Sequence, residues 1–179
     1  MTHEEIKKWL DQHKIENYTI RLDGVVDVRG NVDLYYFKGT TLPIQFGYVT
    51  GNFRCIGTKI TSLKGSPYSV DGEFMCYSTN IKSLKYAPEI VGSHFHCHGT
   101  NIKSLSGIDK MVKHIGASFL CNDGVTHILG ILLIEGITHI NVTGSRPVSQ
   151  ILNKYRGTGD ILSAQDELID AGFIDQARL

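Results

Sequence analysis

One phrase of eleven residues is written three times in this chain. Phe53-Arg-Cys-Ile-Gly-Thr-Lys-Ile-Thr-Ser-Leu63 returns as Phe74-Met-Cys-Tyr-Ser-Thr-Asn-Ile-Lys-Ser-Leu84 and as Phe95-His-Cys-His-Gly-Thr-Asn-Ile-Lys-Ser-Leu105. Cys55, Cys76 and Cys97 are 21 residues apart, and the Phe, Thr, Ile and Leu positions keep the same interval. A fixed period of this length means stacked units, because a unit this small cannot bury its apolar face alone. The period extends outward in weaker form. Gly30, Val32, Leu34 and Leu42 stand 21 residues before Gly51, Phe53, Cys55 and Leu63. Phe119 and Cys121 follow Phe95 and Cys97 after 24, a three-residue insertion, and Ile140 and Val142 lie 21 further on. The sequence therefore predicts about six coils, with strand cores near 32–34, 53–55, 74–76, 95–97, 119–121 and 140–142.

Phe-x-Cys is a period-2 pattern, with two side chains on the buried face of a short strand and the residue between them facing out. Glycines just before the strands mark turns, and Pro67 and Pro88 rule out a long helix on the returning side. Thr58, Thr79 and Thr100 should form a ladder of hydroxyls that bond main-chain groups in the turns. The fold class expected is an α+β repeat, a short solenoid with one strand per coil. At the N-terminus, Thr2 and Glu5 make a capping box, and Ile6, Trp9, Leu10 and His13 share one helical face, which predicts a capping helix over 3–13. Arg21 to Val28 reads as a lead-in strand. At the other end Pro147 opens a helix with Val148, Ile151, Leu152 and Tyr155 on one face, and Asp160 or Ser163 caps a second that ends at Gly172. One continuous domain results: cap and lead-in at 1–30, solenoid at 31–146, helical cap at 147–179. The terminal helices could also dock a partner or a second copy.

Phe-x-Cys-x-x-Thr-x-Ile resembles the L-x-L-x-x-N-x-L core of leucine-rich repeats. The chain as a whole resembles the leucine-rich-repeat-like proteins encoded by tailed bacteriophages. The matching pieces are Val25-Val-Asp-Val-Arg-Gly-Asn-Val-Asp-Leu34, Leu42-Pro43 with Phe46-Gly47, the Ser-Leu-Lys-x-x-Pro repeats, Ile151-Leu-Asn-Lys-Tyr155 and Gln165-Asp-Glu-Leu-Ile-Asp-Ala-Gly172. Departures are Phe37 at a polar ladder position, Gly124 in place of a fourth Thr, and the insertion before Phe119. The resemblance implies a leucine-rich-repeat-like solenoid and a phage protein acting in the host cytoplasm. It implies no particular activity.

Eighteen basic residues balance eighteen acidic ones, so the overall field argues against a nucleic-acid partner. Residues 1–20 are too polar for a secretory signal, and no apolar run reaches membrane-spanning length, so a cytoplasmic protein without membrane partners is expected. Four cysteines spaced one per coil lack the paired form of a zinc site and read as packed thiols. Gly157-Thr-Gly159 lacks the lysine of a P-loop, no serine sits in a nucleophile elbow, and no cofactor is expected. Lys59, Lys64, Lys82, Lys85, Lys103 and Lys110 recur away from the strands and could form a basic stripe; with no net positive charge and no interleaved aromatic residues there, solvated lysines are favoured over a phosphate tracker.

The outward positions carry the functional expectation. They fall in three columns: Asn31, Asn52, Glu73, His94, Ser118, His139; then Asp33, Arg54, Met75, His96, Leu120, Asn141; then Tyr35, Ile56, Tyr77, His98, Asn122, Thr143. Tyr, Met, Arg and His are enriched at interfaces, although strands also favour Tyr and Ile on any face. His94, His96 and His98 could share a metal, form a titratable recognition surface, or simply be solvated. The reading chosen is non-enzymatic, with no metal: a phage module that binds or inhibits a host protein through Tyr35, Arg54, Ile56, Glu73, Met75, Tyr77, His94, His96, His98, Leu120 and His139. The alternatives are a self-associating or virion-associated protein whose terminal helices make a homo-oligomer, and an enzyme with a metal on the histidine strand.

Overall fold

A computed structural model describes residues 1–179. Helix α1 (His3–Gln12) opens with the expected capping box: the Thr2 N–H donates to Glu5 Oε2 at 2.7 Å and the Glu5 N–H to Thr2 Oγ1 at 3.2 Å. Ile6 and Leu10 are buried, and Trp9 stacks on His13 with centroids 4.1 Å apart. The lead-in is a hairpin, not the single strand expected over 21–28. Strand β1 (Tyr18–Ile20) pairs antiparallel with β2 (Val26–Val28). The chain reverses at Asp23-Gly24, where the Asp23 carboxylate accepts the Val25 N–H at 3.1 Å and Gly24 adopts φ 83°.

The coils follow as β3 (Val32–Asp33), β4 (Phe46–Val49), β5 (Phe53–Arg54), β6 (Ser69–Val70), β7 (Phe74–Met75), β8 (Ile90–Val91), β9 (Phe95–His96), α2 (Ile108–Met111), β10 (His114–Ile115), β11 (Ser118–Asn122) and β12 (His139–Thr143). They build two sheets, parallel apart from the β1–β2 pair: β1-β2-β4-β6-β8-β10, and β12-β11-β9-β7-β5-β3. This is the expected solenoid of about six coils. Each inner coil carries a second strand where one per coil was expected. A glycine-containing corner divides the two, as at Val70-Asp-Gly-Glu-Phe74. A Cβ on Gly72 would lie 2.8 Å from the Gly51 carbonyl oxygen, and one on Gly92 2.1 Å from that of Asp71. Corner main chain thus stacks on corner main chain, and the Gly72 N–H donates to the Gly51 carbonyl at 3.1 Å. The extra residues before Phe119 fall in the return segment that contains the single turn α2.

The register of the second sheet keeps like on like, Phe53 beside Phe74 beside Phe95 beside Phe119. All four rings are fully buried, with neighbouring centroids 5.1–5.6 Å apart. Each such burial contributes about 1.5–3 kcal/mol. Cys55, Cys76, Cys97 and Cys121 form the next inner row. The Cys55, Cys76 and Cys97 thiols donate to the next coil's carbonyl at 3.2–3.5 Å. Burial pushes the Cys55 and Cys121 thiols up to about 12, and those of Cys76 and Cys97 well above the usual range, so the row is neutral and unreactive. The threonine ladder is present, with each Oγ1 donating to the carbonyl three residues earlier at 2.7–2.8 Å.

Two further helices close the C-terminal end, α3 (Arg146–Tyr155) and α4 (Ile161–Asp170), the latter capped by Asp160. Val148, Ile151 and Leu152 bury against the last coil, while Asn153 and Ser149 satisfy its exposed edge. The Ile140 N–H donates to Asn153 Oδ1 at 2.9 Å, Asn153 Nδ2 donates to the Ile140 carbonyl at 2.6 Å, and the Val142 N–H donates to Ser149 Oγ at 2.9 Å. One apolar core runs from Ile6 to Ala177. No helix is long and apolar enough to cross a membrane.

Candidate functional site: the outer face of the second sheet

Strand alternation places one outward side chain beside each buried Phe or Cys, and the ladder fixes which of them are neighbours. Asp33 pairs with Arg54, Arg54 with Met75, Met75 with His96, His96 with Leu120, and Leu120 with Asn141. The middle column therefore survives the insertion intact. The outer columns are joined the same way at the C-terminal end, Ser118 to His139 and Asn122 to Thr143.

The centre of the face is an aromatic and imidazole cluster. Tyr77 and His98 stack with centroids 4.6 Å apart and planes 11° apart. His96 stands 6.2 Å from Tyr77, 6.1 Å from His98 and 5.6 Å from His94, perpendicular to the last. Burial pushes the His96 imidazole below its ordinary 6.5, reinforced by His94 and His98 and opposed by Glu73. Burial lowers His98 as well. His96 Nε2 and His98 Nδ1 are both shielded from solvent and have no hydrogen-bond partner. Such orphaned polar atoms are uncommon in folded chains.

His94 behaves differently. Asn31 Oδ1 accepts the Asn52 N–H and Asn52 Oδ1 accepts the Glu73 N–H, each at 2.8 Å, and His94 Nδ1 continues the row by accepting the Ser118 N–H at 3.3 Å. Its ring, also bonded to the Ser118 hydroxyl, is part of the coil-to-coil scaffold as well as part of the face. No group of three or more His, Cys, Asp or Glu side chains converges in an arrangement that could hold a metal ion.

The remaining residues singled out in the sequence surround this cluster. Arg54 is held by Asp33 at 2.8 Å. Ile56, Glu73, Met75 and Leu120 are half-buried, while Tyr35 and His139 are exposed at opposite ends. Five strand steps of ~4.8 Å separate those ends, roughly 24 Å. The predicted residues thus share a surface and do not converge on one reaction centre.

Two features escaped the sequence. Where the face meets α3, a cleft of about 690 Å³ opens among His139, Asn141, Arg146, Gln150 and Asn153. The usable signal was the polar pair Ser149 and Asn153, one helical turn apart beside the apolar stripe of α3. The first sheet also has an outer column, Tyr48, Ser69, Ile90 and His114, with Tyr48 and Ile90 about half exposed. Its residue types do not repeat, so the 21-residue period left no visible mark there.

No protein-family model, curated protein or solved structure matches this chain. The site must be read from its own chemistry.

Proposed function

We propose that the chain is a non-enzymatic binding module that docks a protein partner on the outer face of the β12-β11-β9-β7-β5-β3 sheet. The observation that carries this reading is the half-buried cluster of the Tyr77, His96 and His98 rings at the middle of a continuous six-stranded surface. Stacked aromatic rings surrounded by half-buried Met75, Ile56 and Leu120 are the composition of an interface centre, and Arg54 and Glu73 supply polar contacts beside it. The sequence resemblance to phage-encoded repeat proteins favours a bacterial host protein as the partner and inhibition of that protein as the outcome. The direct test is capture from bacterial lysate followed by cross-linking. Cross-links should fall on the outer face, and the combined R54S/Y77S/H96S variant should lose the captured protein while keeping its circular dichroism spectrum. Cross-links confined to other surfaces would sink the proposal.

A second reading, self-association through the terminal helices, draws on Leu162 and Ile169, which are 68% and 44% exposed. Light scattering separates the two, since a monomer at all concentrations removes self-association.

A further inference from the structure

The third side of the solenoid, formed by the return segments, has a charge pattern that the neutral total conceals. Residues 36–46, 57–68, 78–89 and 99–112 contain seven lysines, all exposed, and two acids, Glu89 and Asp109. The chain's four ion pairs all lie elsewhere. The compensating acids are concentrated toward the two ends of the chain, six of them within residues 1–30 and seven within 116–179. Lys64 and Lys85 occupy the same position of successive coils, and so do Lys82 and Lys103, which sets like charges side by side at a main-chain separation of ~4.8 Å. Directly opposed like charges destabilise a stack.

A second cost falls on the same side. Gly65, Tyr86 and Gly107 are equivalent positions, and all three are left-handed, with φ of 92°, 71° and 71°. Glycine takes this conformation freely, whereas a bulky side chain is disfavoured in it. Tyr86 nevertheless stands there half exposed, with the Lys85 ammonium 5.1 Å from its ring centroid. Tyr36 is 87% exposed at the start of the first return segment and Tyr68 is 50% exposed at the end of the second. Tyr86 is the ring set directly in the lysine stripe, next to Lys85, while Tyr36 and Tyr68 lie at the borders of the return segments. Within residues 36–46, 57–68, 78–89 and 99–112 these three are the only exposed large hydrophobic residues, while the next return segment exposes Leu133 at 55%.

We infer that this third side binds single-stranded nucleic acid, with Lys64, Lys82, Lys85 and Lys103 tracking the phosphates and Tyr86 offering a stacking plane to a base. A cationic track combined with aromatic platforms is the general chemistry of sequence-tolerant single-strand binding. The surface is separate from the sheet face proposed for a protein partner, so the two fail independently.

Fluorescence anisotropy with labelled oligothymidylate and oligouridylate, titrated across salt concentrations, tests the inference and shows whether DNA or RNA is preferred. Binding should weaken steeply with salt, and K64Q/K85Q should lower the slope of log K against log salt by about 1.4. Tyr86→Gly should reduce affinity roughly 5- to 100-fold while raising the melting temperature, because it relieves the backbone. Tyr77→Ser, on the sheet face, should leave the oligonucleotide affinity unchanged. Absence of binding to either oligonucleotide at low salt overturns the inference, as does binding that ignores both the lysine and Tyr86 substitutions. Preferential binding to phosphatidylserine vesicles, or heparin binding indifferent to Tyr86→Gly, also overturns it in favour of a surface that reads charge alone.

Discussion

Cys76 and Met75 are consecutive residues of one strand segment, yet they belong to surfaces under different rules. The inner surface repeats, Phe over Phe and Cys over Cys, because each side chain must fill the space left by its copy in the next coil. The outer surface runs Asp33, Arg54, Met75, His96, Leu120 and Asn141 through the same ladder with no type repeated. Stacking enforces uniformity only where packing is closed. The outer variation is therefore available to recognition, and the inner repetition is the cost of holding it in register.

The sharpest way to break this comparison is to make one substitution on both sides. Cys76→Asp places a charge inside the closed row and should abolish the cooperative urea transition, a loss above ~4 kcal/mol. Met75→Asp, on the half-buried outer face, should cost no more than about 1 kcal/mol. Equal losses would mean that the outer face is packed as tightly as the core.

The end of the stack offers an intermediate effect. Asn153→Ala removes both bonds to Ile140 and leaves a main-chain N–H and C=O at the sheet edge, costing about 1–3 kcal/mol. Because the freed edge can pair with another chain, concentration-dependent aggregation should accompany the lower denaturation midpoint. An unchanged midpoint would show that apolar contacts of Val148 and Leu152 suffice.

The smallest effect is a pH dependence of the outer face. His96 and His98 have folded-state pKa values below their ordinary 6.5, so the unfolded chain binds more protons in the window just below that value. Their contribution to stability is complete above the unfolded pKa and is lost as pH falls through the window toward the folded values. The melting temperature should therefore drop between pH 7.5 and 5, and H96Q/H98Q should flatten that slope. A steeper slope in the variant would assign the titration to other groups.

The coil count and the inner rows were legible because Phe53, Phe74 and Phe95 obey one period and strand alternation did the rest. The first sheet was not legible. Ser69–Val70 and Ile90–Val91 are too short to show alternation, and the column through Tyr48, Ser69, Ile90 and His114 mixes residue types. Of the candidate face, the columns could be written from spacing alone. The bond of His94 to the Ser118 main chain could not, since it requires knowing that an imidazole continues a row begun by Asn31 and Asn52. Tyr86 directly follows Lys85 in the sequence, but its left-handed backbone was not legible there.

Asn153 and Ser149 hold the last strand through its peptide groups, not its side chains. The polar half of this closure reads only backbone, so any coil that offers an apolar pair like Ile140 and Val142 to α3 could be terminated by it. Duplication or deletion of a whole internal turn leaves that grip intact, so the length of the molecule can change while its stopper stays the same.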